Sequence, residues 1–123
     1  MRYSKQRELV LQKVEQLCDH PTAEEIFGLA VRDCPGLSLG TVYRNIRQLA
    51  DNGEILTLET EDTRSHYDGN TTPHRHFVCG VCGRILDLFF AVEAPPELLD
   101  RGFLVESEKC IYYGTCPDCA KKR

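Results

Sequence analysis

The chain has 123 residues, room for one ordinary domain or two small ones. Hydrophobic residues make up 41% and charged residues 28%, a balance that excludes a disordered chain, and no apolar stretch approaches the roughly 20 residues a membrane-crossing helix needs. Net charge is −4, divided as −1 over residues 1–57 and −3 over 58–123, so affinity for a polyanion has to come from local basic patches, a partner subunit or bound cations.

The opening run, Met1-Arg2-Tyr3-Ser4-Lys5-Gln6-Arg7, leads directly into a helical pattern and holds no apolar signal segment. The expected location is therefore the cytoplasm. Thiols are kept reduced there, so seven cysteines argue against a disulfide framework. Paired cysteines in that setting read first as metal ligands.

In chain order, the first half predicts three amphipathic helices. Val10, Val14 and Leu17 form one apolar stripe at helical spacing. After His20-Pro21 a second helix opens on Thr22-Ala23-Glu24-Glu25, a capping-box pattern, with Ala23, Ile26, Phe27 and Ala30 as its buried face. Cys34-Pro35-Gly36 ends it. A third helix begins near Ser38, places Val42, Ile46 and Leu49 on one face, leaves Tyr43, Arg44 and Arg47 on another, and stops at Asn52-Gly53. The runs 55–60 and 65–67, joined by the polar turn Glu61-Asp62-Thr63, predict a β-hairpin.

The polar stretch 69–73 reads as a hinge. Beyond it, 77–78, 85–90, 102–105 and 110–113 are expected strands, and Pro95-Pro96-Glu97-Leu98-Leu99 a short helix with prolines at its start. The predicted fold class is α+β: a winged helix-turn-helix over 1–68, then a small α/β domain over 74–123. About fifty residues bury too little surface to stand alone, so that second domain needs a staple.

The staple is legible. Cys79-Gly80-Val81-Cys82 and Cys116-Pro117-Asp118-Cys119 are two Cys-x-x-Cys pairs with 33 residues between them, the spacing of a closed, four-thiolate structural zinc site. A redox dithiol would need one such motif opening a helix in a βαβ setting. Cys18, Cys34 and Cys110 read as small buried apolar residues.

Two further groups bear chemistry. On the third helix, the second of a helix-turn-helix, Arg44 suits a guanine edge and Tyr43 a thymine methyl or a phosphate, with Ser38, Thr41 and Arg47 placed for phosphates. Upstream of the first cysteine pair, His74 and His76 face one side of an extended segment. Asp68 lies six residues before His74, Asp87 falls on the next strand, and His20 is far away in sequence. Three imidazoles and two carboxylates would suit Fe(II) or Mn(II). Solvated turn residues are the plainer reading of each alone.

Taken together, these segments resemble the ferric uptake regulator (Fur) family over nearly the whole chain. The resemblance is carried by His20-Pro21-Thr22-Ala23-Glu24-Glu25-Ile26, by Thr41-Val42-Tyr43-Arg44-Asn45, and by Tyr67-Asp68. It continues through His74-x-His76-x-x-Cys79-x-x-Cys82-Gly83 and Gly114-x-Cys116-x-x-Cys119. Within the family the chain looks most like the peroxide-sensing repressor (PerR) branch, because Asp87 stands where iron-sensing members usually carry glutamate, and Thr71-Thr72-Pro73-His74 where they carry a histidine-rich run.

The resemblance implies a homodimeric, metal-dependent repressor of a palindromic DNA operator, and not an enzyme. Residues 74–123 would dimerise, structural Zn(II) would sit on Cys79, Cys82, Cys116 and Cys119, and regulatory Fe(II) or Mn(II) on His20, Asp68, His74, His76 and Asp87. It further implies peroxide sensing by oxidation of a ligand histidine, His20 or His74. The sibling reading is an iron-, zinc- or manganese-uptake repressor that answers to metal level alone. Three departures are expected to matter: a short start that omits the leading helix of many relatives, Arg75 where iron sensors often have Asp, and Glu108 where a histidine is common. His66 receives no ligand role and reads as a wing-surface residue.

Overall fold

A computed structural model describes residues 2–17, 19–62, 64–89 and 93–122, and for residues 2–4 the backbone alone. The chain falls into two compact units, Met1–Thr71 and Thr72–Arg123.

The first unit is helical with a small hairpin. Helix α1 (Arg2–Gln16), α2 (Ala23–Ala30) and α3 (Leu39–Asp51) pack on one another, and strands β1 (Leu56–Glu59) and β2 (Ser65–Asp68) pair antiparallel, Leu56 opposite Asp68 and Glu59 opposite Ser65. Three helices followed by a two-stranded hairpin is the element order expected from the sequence of this half.

Local chemistry sets the boundaries. The capping box at α2 is complete: Glu25 N–H donates to Thr22 Oγ1 at 3.3 Å and Thr22 N–H donates to Glu25 Oε1 at 3.0 Å. That satisfies two of the amide donors a helix start leaves unbonded. Ser38 caps α3 by accepting from Thr41 N–H at 3.1 Å, and Gly53, at φ +75°, turns the chain out of the helix.

The stripes predicted from spacing meet in one core. Val10, Val14, Ala23, Ile26, Ala30, Leu37, Val42, Ile46, Leu49, Ile55 and Tyr67 are buried together, with Leu17, Phe27 and Cys34 packed at its edge. Asn45 is also buried, its Nδ2 donating to the Thr41 carbonyl at 2.9 Å.

The second unit holds a three-stranded sheet in the order β4-β3-β5. Strand β3 (Arg75–Cys79) pairs antiparallel with β4 (Ile85–Leu88) and parallel with β5 (Ile111–Gly114). Helices α4 (Pro96–Asp100) and α5 (Pro117–Ala120) are short.

Two expectations fail here. Residues 103–110 form no strand, although 102–105 has strand-like composition; β5 takes the place beside β3, and Leu104 is left 93% exposed. Cys34 and Cys110 are half-buried rather than buried. Cys18, Thr63 and Phe90, which enter other expectations, lie outside the described residues.

Candidate metal centres and reading helix

The four-cysteine cluster is built by β3 and its two neighbours. Between Cys79 and Arg84 the chain makes a tight knuckle: Gly83 N–H donates to the Cys79 carbonyl at 2.9 Å and Cys79 N–H to the Arg84 carbonyl at 3.0 Å. Gly83, at φ +78°, takes the left-handed turn this needs. Parallel pairing sets Cys79 opposite Gly114, so Cys116 arrives beside Cys79 two residues later.

The sulfurs of Cys79, Cys82, Cys116 and Cys119 all lie within 4.8 Å of one another, and Cys82 Sγ is 3.8 Å from Cys116 Sγ. A tetrahedral zinc–thiolate site with bonds of about 2.3 Å has sulfurs roughly 3.8 Å apart. The donor set and this spacing both fit zinc.

The electrostatics agree. Backbone N–H groups of Cys82 and Cys116 point at Cys79 Sγ, at 3.5 and 3.3 Å, and push its thiol down to about 5. Cys119 is pushed up to about 12, first by its bond to Cys116 and then by burial. Four clustered thiols cannot all ionise without a cation to balance them. Arg84, whose Nη2 donates to Cys116 Sγ at 3.8 Å and to Asp118 at 3.2 Å, adds positive charge at the rim.

Imidazole and carboxylate donors gather at two places, one in each unit. In the first, His20 and Asp68 are both buried, with His20 Nε2 3.3 Å from Asp68 Oδ2. His20 has a left-handed backbone, φ +60°, a conformation that costs a non-glycine residue on the order of 1 kcal/mol or more.

In the second unit the antiparallel register sets His76 directly opposite Asp87. Asp87 Oδ1 lies 2.9 Å from His74 Nε2 and 3.2 Å from His76 Nε2. The two imidazoles are 4.4 Å apart between centroids, on one side of the chain as their i, i+2 spacing predicts. His74 Nδ1–H donates to the Thr72 carbonyl at 2.6 Å. That contact selects the tautomer whose Nε2 lone pair is available to a metal. Phe89 stacks on His74 at 4.8 Å, a contact that spacing alone did not point to. Mixed nitrogen and oxygen donors of this kind fit Fe(II) or Mn(II) better than they fit a thiophilic ion.

On α3, Tyr43, Arg44 and Arg47 are exposed, as is the capping Ser38, while Thr41 is half-buried. The hydroxyls of Ser38 and Thr41 lie 2.8 Å apart and serve the cap. Tyr43 Oη donates to Glu24 Oε1 at 2.7 Å, which holds the Glu24 carboxyl below its ordinary value and pushes the phenol up.

His66 departs from expectation. Its side chain is 12% exposed, with Nδ1 2.9 Å from the His20 carbonyl oxygen and Nε2 2.9 Å from Asp62 Oδ2. A wing-surface role does not describe it. No sequence pattern signals a contact between residues 46 positions apart.

Arg75 and Glu108, two of the departures noted in the sequence, pair with each other: Arg75 Nε donates to Glu108 Oε1 at 2.8 Å and Nη2 to Oε2 at 3.1 Å. The bidentate bond raises Arg75 further above its ordinary value and lowers Glu108.

Comparison with known proteins gives this geometry a context. The peroxide operon regulator of Bacillus subtilis (strain 168) is 32% identical over 99% of this chain and 86% of its own length. Among solved structures, the Campylobacter jejuni peroxide stress regulator superposes with a TM-score of 0.77 at 28% identity, covering 96% of this chain and 91% of that one. The Helicobacter pylori ferric uptake regulator Fur, described as having three functional metal-binding sites, gives 0.73 at 26% identity, covering 94% and 80%. The profile of the Ferric uptake regulator family matches residues 1–112, and with that match over most of its length the chain belongs to this family.

Proposed function

We propose that the protein is a homodimeric, metal-dependent transcriptional repressor of the PerR type, a cytoplasmic regulator and not an enzyme. The observation that carries this reading is the donor geometry: a buried His20–Asp68 pair in one unit, and two imidazoles sharing one Asp87 oxygen in the other. The similarity to peroxide regulators supports the branch. No described helix is long and apolar enough to cross a membrane.

In this proposal residues 1–68 form the winged-helix domain, 69–73 the hinge and 74–123 the dimerisation domain. Structural zinc is held by Cys79, Cys82, Cys116 and Cys119. His20, Asp68, His74, His76 and Asp87 hold one Fe(II) or Mn(II). Drawing these five side chains about one ion fixes the angle between the two units, and with it the spacing of the two α3 helices in a dimer. Operator half-sites one DNA turn apart then become readable. A preference of about 5.5 kcal/mol turns a ~1% population into ~99%, which sets the scale required.

On DNA, Arg44 and Tyr43 read base edges, while Ser38, Thr41 and Arg47 meet phosphates. When bound, Fe(II) supplies the one-electron chemistry by which peroxide oxidises a ligand imidazole, His20 or His74. The altered imidazole binds poorly, the five-ligand set comes apart, and the operator is released.

The similarity to the Helicobacter pylori regulator favours a second reading, a uptake repressor that answers to metal level alone. One experiment separates them. A palindromic duplex is first selected by the Mn(II)-loaded protein. The Fe(II)-loaded protein is then exposed to micromolar peroxide without air, and duplex binding and the mass of the peptides holding His20 and His74 are measured. Loss of binding with an added oxygen atom is expected. Retained binding and unchanged mass would leave the metal-level reading.

A further inference from the structure

Three consecutive residues of β2 act on the His20-Pro21 segment. Asp68 meets the His20 ring. Tyr67 N–H donates to the Pro21 carbonyl at 2.9 Å. His66 reaches the His20 carbonyl through Nδ1–H at 2.9 Å. Residues 66 and 68 project from the same face of the strand, so one face of β2 holds His20 at both its backbone and its side chain.

The far side of the His66 ring is anchored as well. Its Nε2 meets Asp62 Oδ2, and Asp62 is fixed by Thr60 Oγ1, which donates to Oδ1 at 2.6 Å, and by Arg64 N–H, which donates to the same oxygen at 3.0 Å. The turn of the hairpin is thus joined by one imidazole to the backbone of His20. That backbone is left-handed in a residue without the freedom of glycine, so something must hold it there. The carbonyl contact is the part of the hold that an ordinary strand would lack.

We propose that His66, braced by Asp62, is a positioning residue for His20: it locks the carbonyl and so presents the imidazole beside Asp68 at one angle, and it couples the hairpin turn to that imidazole. This rests on the reading of His20 as a ligand of the regulatory ion. Groups bonded to a ligating imidazole itself change metal affinity by about 10- to 100-fold when removed; His66 acts through the His20 backbone, one step further back, so the low end of that range is the effect expected. Coupling works in both directions, so a filled site would in turn stiffen the hairpin.

The test uses the full-length, zinc-loaded protein titrated with Mn(II), with free Mn(II) followed by electron paramagnetic resonance. His66→Phe is expected to weaken binding about tenfold. His66→Asn, whose amide N–H can still reach the carbonyl, should recover much of the loss, and Asp62→Ala should weaken binding severalfold. Before Mn(II) is added, the Cα shift and the HN–Hα coupling of His20 should lose their left-handed signature in His66→Phe while the unfolding midpoint stays near that of the parent. A purely structural role would move the midpoint and leave that signature in the folded molecules.

Parent-like Mn(II) affinity in His66→Phe, with His20→Ala weakened, overturns the proposal and spares the ligand reading. Parent-like affinity in His20→Ala overturns both. If His66→Phe does not fold, Asp62→Ala decides, and unchanged affinity there overturns the proposal.

Discussion

The two units solve the problem of staying folded by different means. Among the described residues, 1–71 close around a cluster of eleven buried apolar side chains drawn from the three helices, the hairpin and the links that join them. In residues 72–123 the buried hydrophobic residues among those described are Cys79 and Cys116, both sulfur donors, and the buried polar one is His76. An apolar core works without a cofactor; a cluster of thiols and imidazoles does not. The first unit should depend on side-chain volume, the second on metal and on the pairing proposed for residues 74–123.

The largest test of this contrast is Cys116→Ser, or removal of zinc by a strong chelator. Structural zinc in small zinc-finger peptides contributes about 10–16 kcal/mol of apparent folding free energy. Amide spectra should therefore collapse for residues 72–123 while those of 1–71 keep their dispersion. A second unit that stays folded without zinc would end the comparison.

Next in size is Ile26→Ala, in the fully buried centre of the helical core. It should cost about 2–5 kcal/mol in chemical unfolding of the first unit, with the zinc content per chain unchanged. Loss of zinc in this variant would mean that the units are not independent in stability. Smallest is Thr22→Ala, which removes the reciprocal cap of α2. A loss of about 1 kcal/mol is expected, again confined to the first unit when hydrogen exchange is followed residue by residue.

How far the sequence could be read follows the same division. Helical spacing identified most of the apolar core, because burial of a stripe is a local property of a helix. The Thr22–Glu25 cap was readable for the same reason. The cysteine spacing announced thiolate chemistry, and the structure brings the four sulfurs together. What failed was non-local. The 102–105 run has the composition of a strand, but a strand exists only when a neighbour completes its ladder, and in this chain β5 pairs with β3 instead.

At the imidazole sites the His-x-His spacing showed which two rings could share a side. It did not show that one oxygen of Asp87 would stand between them. His66 was misread for a related reason: a single histidine in a strand carries no mark of the carbonyl it will meet.

The parallel pairing of β3 with β5 also has a bearing on time. Antiparallel β3 and β4 meet across a few residues, whereas β5 must return over the whole 89–110 stretch before Cys116 can approach Cys79. Closing long loops is slow and entropically costly, while helices held by near neighbours form early. A newly made chain would then pass through an interval with its helices assembled and its thiols still ungathered. During that interval, local zinc supply would govern how many molecules mature.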